Sequence, residues 1–121
     1  MTKEELRDYC YSIGLIDTQL PFMSGGLYIK GYRYSGAFVN SMDFIAAFDD
    51  KCNNVLVAED SVISFDFPDG PIRMTGSEIL YDDTNIKNRI NFLIDKVKKN
   101  IKTMKEEQLQ SKLSKIEGDF K

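Results

Sequence analysis

The amino-acid sequence predicts an α+β fold, with a small antiparallel sheet covered by helices and a long C-terminal helix. Strand-like and helical runs are segregated along the 121 residues, whereas a parallel sheet would need them to alternate. The sequence Pro-Asp-Gly-Pro at residues 68–71 marks a turn too short for a parallel crossover, so the flanking strands should pair antiparallel. No Gly or Pro interrupts residues 86–117, which predicts an unusually long helix.

The chain begins with a predicted amphipathic helix over residues 2–14. Thr2 and Glu5 have the spacing of a capping box, in which each side chain satisfies a backbone N–H group at the helix start. The apolar face carries Leu6, Tyr9, Cys10 and Ile13. Residues 15–26 have no clear period and are predicted to form a loop.

The middle of the chain contains four predicted strands and one predicted short helix. Residues 27–34 are aromatic and bounded by glycines, which favours a strand with a bulge at Gly31. Residues 41–51 are predicted to be a helix capped by Asn40 or Ser41, with Phe44, Ile45 and Phe48 turned inward.

Three further strands are predicted at 54–59, 61–67 and 72–81, the last two forming a hairpin. Alternation in the second of them places Ile63, Phe65 and Phe67 on one side.

The long C-terminal helix should begin at Thr84 as N-cap, with Asp82 and Asp83 near the positive end of its dipole. One apolar stripe suits the core of the domain: Ile86, Ile90, Leu93, Val97, Ile101 and Met104. A second group is rotated from it by roughly 140° at 100° per residue: Leu109, Leu113, Ile116 and Phe120. The helix therefore either breaks near residues 105–108 or meets a different partner with its second half.

These two stripes divide the chain into a core domain, 1–104, and a C-terminal extension, 105–121. The extension could fold back over the sheet, remain mobile, or bind another chain through its apolar stripe. Because a lone amphipathic helix cannot bury its own apolar face, we expect an oligomer whose interface is that second stripe.

The residue types exclude the usual machinery of an enzyme. There is no His, no phosphate-binding glycine loop, and no metal-ligand spacing around Cys10 and Cys52. We therefore expect no catalytic residue, metal or cofactor. The N-terminus lacks the pattern of a signal peptide and no apolar run is long enough to span a membrane, which makes the cytoplasm the expected location.

Charge is distributed unevenly along the chain. Residues 1–86 carry 6 Lys/Arg and 14 Asp/Glu, whereas residues 87–121 carry 10 and 5. An acidic body with a basic helix can associate with itself or recruit different partners at its two ends. The basic face also offers phosphate contacts to a nucleic acid, although the acidic body would repel such a polyanion. This face consists of Lys96, Lys98, Lys99, Lys102 and Lys105.

The strand at 27–34 carries a second candidate site. Tyr28, Lys30, Tyr32 and Tyr34 alternate onto one face, with Arg33 opposite. Such a surface could anchor a partner protein, or stack a nucleotide whose phosphates meet Lys30, Arg33 or Arg73. The alternative is that the tyrosines simply fill a half-exposed sheet face, where β-propensity favours them.

The leading hypothesis is a non-enzymatic protein that binds another macromolecule and forms oligomers through its C-terminal helix. Small acidic proteins without histidine suit inhibitor, immunity or accessory roles, including those encoded by phages and mobile elements. The alternative hypothesis is a small-ligand or nucleotide-binding module that uses the tyrosine-rich strand.

Overall fold

A computed structural model of the chain describes the backbone of residues 1–18, 22–24 and 27–119, and the side chains of residues 1–18 and 30–109. The order of elements is α1 (Lys3–Ser12), β1 (Ile16–Asp17), β2 (Phe22–Ser24), β3 (Leu27–Arg33), β4 (Ala46–Asp49), β5 (Asn54–Ile63), β6 (Ile72–Leu80) and α2 (Asp83–Asp119). The predicted α+β fold, with its antiparallel sheet and long C-terminal helix, is confirmed.

The strand pairings of this sheet are all antiparallel. The order is β1–β3–β4–β5–β6, and β2 also pairs with β3. The predicted hairpin is present, with Ile63 opposite Ile72 where β5 and β6 meet their turn. The segment that follows β3 then runs along the other edge of β6, where Ile72 donates to the Phe38 carbonyl and accepts from the Asn40 N–H group.

Helix α1 forms as its sequence predicts. Thr2 and Glu5 make both hydrogen bonds of the capping box. Leu6 and Cys10 are completely buried against the sheet, and Tyr9 and Ile13 pack beside them. The helix closes one end of the core, where its buried side chains meet those of α2.

The predicted helix over residues 41–51 is wrong, because this segment contains strand β4. Ala46 and Ala47 are both completely buried, and neighbouring strands flank them on both sides. A strand buried on both faces shows no alternation, so its periodicity cannot be distinguished from that of a short helix. Ile45 and Phe48 are buried as predicted, Phe48 within β4 and Ile45 directly before it, whereas Phe44 is only partly buried.

Two other predictions on this side of the sheet are also wrong. Residues 15–26, predicted to be a loop, contribute β1 and β2 to the edge of β3. Gly31 forms no bulge and pairs regularly with Ala47. A Cβ atom at Gly31 would lie 3.0 Å from the Phe44 Cβ atom and 3.1 Å from the Thr18 Cγ2 atom, so glycine here permits close packing.

The two predicted strands at 54–59 and 61–67 form one strand, β5, which ends at Ile63. Phe65 and Phe67, predicted to extend the strand, lie in the loop beyond it and are exposed by 71% and 41%. The chain turns directly after Ile63, where the Phe67 N–H group donates to the Ser64 carbonyl at 3.4 Å and the Gly70 N–H group donates to the Phe67 carbonyl at 3.1 Å.

Helix α2 supplies the largest part of the core. Its N-cap is Asp82, whose Oδ1 atom accepts from the N–H groups of Thr84 and Asn85, so the predicted Thr84 cap is wrong by two residues. The helix runs through residues 105–108 without a break. Its predicted stripe is confirmed, with five residues buried and Ile101 partly buried: Ile86, Ile90, Leu93, Val97, Ile101 and Met104. Over the described residues, no helix has the length and apolar character needed to cross a membrane.

A pair of adjacent residues in α2 tests this packing. Leu93 is completely buried, whereas its neighbour Phe92 is 48% exposed. Leu93→Ala should lower the free energy of unfolding by about 2–5 kcal/mol, because it removes buried methyl groups and leaves a cavity. Phe92→Ala should change it by less than about 1 kcal/mol. Urea denaturation of both variants measures the difference, and equal losses would contradict the assigned face of the helix.

Candidate interaction surfaces

Polar contacts fix how α2 is rotated about its own axis. Asn100 donates from Nδ2 to the buried Ser61 Oγ atom at 3.2 Å, and Lys96 Nζ forms an ion pair with Asp60 Oδ1 at 3.0 Å. This ion pair and the Ser61 N–H group lower the pKa of the Asp60 carboxyl. Nearer the start of the helix, Arg89 pairs with Glu78 at 3.0 Å. All of these bonds go to β5 and β6, so one face of α2 is held on the sheet and the opposite face is presented to solvent.

A shallow groove lies on the solvent side of α2, near the point where the helix leaves the core. It has a volume of about 390 Å³ and is lined by Lys98, Ile101, Lys102, Lys105, Glu106 and Leu109. Ile101 forms its inner wall and also packs against the core. The three lysines are exposed, and they form no ion pair among the described residues. The groove can therefore accept an apolar group that carries negative charge beside it.

The predicted oligomer stripe begins at this groove. Leu109 is 59% exposed, although Met104, five residues earlier, is only 9% exposed. Leu113 and Ile116 belong to the helical backbone, but their side chains lie outside the described residues, as does Phe120 entirely. The interface role of these four residues stays a prediction.

The tyrosine-rich strand does not form one exposed surface. Tyr32 is only 1% exposed, and its ring meets Tyr11 edge-on with the centroids 5.8 Å apart. Burial raises the pKa of the Tyr32 phenol to about 12. Tyr34 is partly buried against both parts of the core, whereas Lys30 is exposed. The side chain of Tyr28 lies outside the described residues.

The two arginines of that prediction lie far from each other in the sheet. Arg33 is on β3 and partly buried, with no hydrogen-bond partner for its Nε atom in the described part of the chain. Arg73 is on β6, which β4 and β5 separate from β3. It forms a bidentate ion pair with Asp43 at 2.9 and 2.8 Å, which raises its pKa, and it stacks over the Phe67 ring at 4.0 Å. These contacts occupy its guanidinium group.

The predicted lysine face is partly committed to the fold. Lys96 is paired with Asp60, whereas Lys98, Lys99, Lys102 and Lys105 are exposed. Three of these four line the groove, so the free positive charge is concentrated there. The sequence predicted the basic face, but it did not predict that this face lines a groove together with Ile101 and Leu109.

The β5–β6 hairpin ends in an exposed aromatic tip, residues 64–70, that was not predicted from the sequence. The loop is closed by hydrogen bonds from the Ser64 N–H group to the Pro71 carbonyl at 2.7 Å and from the Gly70 N–H group to the Phe67 carbonyl at 3.1 Å. It presents Phe65 to solvent. The available signal was the Pro-Asp-Gly-Pro sequence, because Pro68 and Pro71 have no N–H group with which to extend the strand pairing.

The two thiols differ sharply in environment. Cys10 is buried, and desolvation raises the pKa of its thiol to about 12, whereas Cys52 is exposed. Among the described residues, no group of three or more Cys, Asp or Glu side chains is arranged to hold a metal ion.

Comparison with known proteins provides no further assignment: no family model, no curated protein and no solved structure matches this chain.

The thiols give a direct test of the core around α1. At pH 8.5 the raised pKa leaves fewer than about one Cys10 side chain in a thousand as thiolate. Burial also blocks the access of a reagent to this thiol. A chromogenic thiol reagent should therefore react with one thiol in the native protein and with two in urea. In Cys52→Ser the fast reaction should disappear. Rapid reaction of both native thiols would contradict the packing of Cys10.

Proposed function

We propose that this chain is a non-enzymatic protein-binding protein, an accessory or inhibitor protein in its cellular role, and that it forms oligomers through α2 beyond Met104. Two features support this proposal. The sequence lacks the residue patterns of common catalytic sites, and the end of α2 is available to another chain. The second feature can be tested without knowing any other partner.

The observation that carries this proposal is the change of environment along one unbroken helix. The stripe from Ile86 to Met104 packs in the core, whereas Leu109 is 59% exposed. The fifteen residues 105–119 extend the helical backbone by about 22 Å at 1.5 Å per residue. Residues 105–119 continue a helix that is already nucleated, so a partner is needed to cover the exposed Leu109 and not to form the helix.

The chemistry of the exposed face supports a protein partner over a nucleic acid. Leucine and isoleucine positions at 109, 113 and 116 follow the spacing of a helix that packs against another apolar surface. Lys96, the first of the basic residues, is already paired with Asp60. Binding through phosphates would also bring a polyanion towards a body with an excess of acidic residues.

The alternative, a nucleotide-binding module on the tyrosine-rich strand, has less support. Tyr32 is in the core, and Arg73 is paired with Asp43 on the other side of the sheet. A nucleotide would have to bind with Lys30, Tyr34 and the residues around them alone.

Sedimentation velocity tests the proposal. The full chain should sediment as a dimer or larger assembly at micromolar concentration, and a chain truncated after Lys105 should sediment as a monomer. Leu109→Ser should weaken the assembly by about five-fold or more, because an apolar side chain that the interface buries contributes about 1 kcal/mol or more.

The matched control is Phe92→Ser, which removes a similarly exposed apolar side chain from an earlier turn of the same helix. It should leave the assembly unchanged. A full chain that remains monomeric at high concentration would overturn the proposed oligomer.

A further inference from the structure

We propose that the groove on α2 receives the aromatic tip of the β5–β6 hairpin from a second copy of this chain. The inference rests on the proposed function, because it identifies the partner of the exposed part of α2 and the surface on that partner. Both surfaces consist of described residues, and their chemistry is complementary.

The tip has the properties of a preformed binding element. Two hydrogen-bonded turns hold it, and Asn40 braces it from the neighbouring segment by donating from Nδ2 to the Gly70 carbonyl at 3.4 Å. A Cβ atom at Gly70 would lie 2.7 Å from the Asn40 Cα atom, so the two backbones are in close contact. Because this loop is ordered before binding, it loses little conformational entropy on docking.

Phe65 is the natural anchor of this element. Its ring is 71% exposed at the end of a hydrogen-bonded loop, so it offers a large apolar surface to a partner at a small cost in conformational entropy. Phe67, the second aromatic residue of the tip, is instead held beneath Arg73. Phe65 can therefore enter a groove on another molecule while Phe67 stays with its own fold.

Charge identifies the occupant of the groove. Asp66 and Asp69 are exposed on the tip and form no ion pair within the described residues, and the nearby Arg73 is neutralised by Asp43. The groove has the opposite charge, since Lys98, Lys102 and Lys105 line it with a single carboxylate, Glu106. An acidic loop with a protruding phenylalanine and an apolar groove bordered by lysines are complementary in polarity and in the sign of their charge.

The positions of the two surfaces allow a closed dimer. Ile72, at the base of the hairpin, packs in the same cluster as Val97 and Met104, and Ile101 joins that cluster from the groove. Tip and groove therefore lie at the same end of the molecule. A two-fold axis at this end can place the tip of each copy in the groove of the other. Both tips and both grooves are then buried, so no further copy can be added.

Charge reversal on each side, followed by mixing, tests the inference. Asp66→Lys/Asp69→Lys and Lys98→Glu/Lys102→Glu should each raise the dissociation constant of the assembly by at least about ten-fold, because each places like charges face to face. An equimolar mixture of the two variants should recover assembly, since every tip then faces a groove of opposite charge. Sedimentation equilibrium at low salt measures all three, and the wild-type dissociation constant should rise with salt.

The control variant is Glu4→Lys/Asp8→Lys, which makes the same change in net charge on exposed positions of α1, at the other end of the core. It should assemble like the wild type. Phe65→Ser should weaken assembly and should leave the thermal midpoint unchanged at a concentration at which both proteins are monomeric. Circular dichroism confirms that each variant is folded.

The possible failures are distinguishable. If truncation after Lys105 abolishes assembly but reversal at the tip leaves it unchanged, the tip is not the partner surface, and the proposed function stands without this inference. If the two reversed variants are monomeric and the mixture remains monomeric, the pairing of tip with groove is wrong. A wild-type chain that is monomeric at every concentration overturns both proposals.

Discussion

The packing of one unbroken helix against β5 and β6 is the constraint on which the rest of this structure depends. Between Ile86 and Met104, α2 keeps a single stripe on the sheet, and the helix has no Gly or Pro before residue 118 at which it could kink sharply. The path of residues 105–119 is therefore set by the packing of the nineteen residues before them. The exposure of Leu109 follows from this geometry, because its position on the helix is rotated away from the buried stripe.

Polar contacts convert that general packing into a specific orientation. An apolar stripe alone tolerates some rotation of a helix, since hydrophobic contacts have no preferred direction. The bond between Asn100 and the buried Ser61 does have one, because both groups would be left unsatisfied if the helix turned. Lys96 and Arg89 repeat this arrangement nearer the helix start. The lysines that remain, at 98, 102 and 105, are consequently held on the solvent side beside Ile101.

The sequence predicted those parts of the fold that local chemistry determines. The capping box of α1, the hairpin turn and the apolar stripe of α2 each depend on residues within a few positions of one another. β4 could not be recognised, because two buried alanines and a phenylalanine are equally compatible with a helix until strands on both sides are known. Tyr32 fails as a predicted surface residue for a related reason, since α1 covers its face of the sheet. The lysine face and the apolar position Leu109 were each predicted from the sequence, but their meeting in one groove was not. The aromatic tip could not be predicted without knowing where β5 ends.

The uneven distribution of charge takes on a different meaning once the fold is known. In the sequence, an acidic first part and a basic helix suggest two opposite ends that join head to tail, an arrangement that has no natural stop. In the structure, Ile63 and Ile72 at the base of the acidic loop pack in the cluster of Val97 and Met104, so the loop lies at the same end of the molecule as the basic stretch of α2. Opposite charges that are distant along the chain thus lie at one end of the molecule. In the dimer that we propose, two copies facing each other at that end satisfy both sets of charges at once, and the closed pair leaves neither tip nor groove free to bind a third copy.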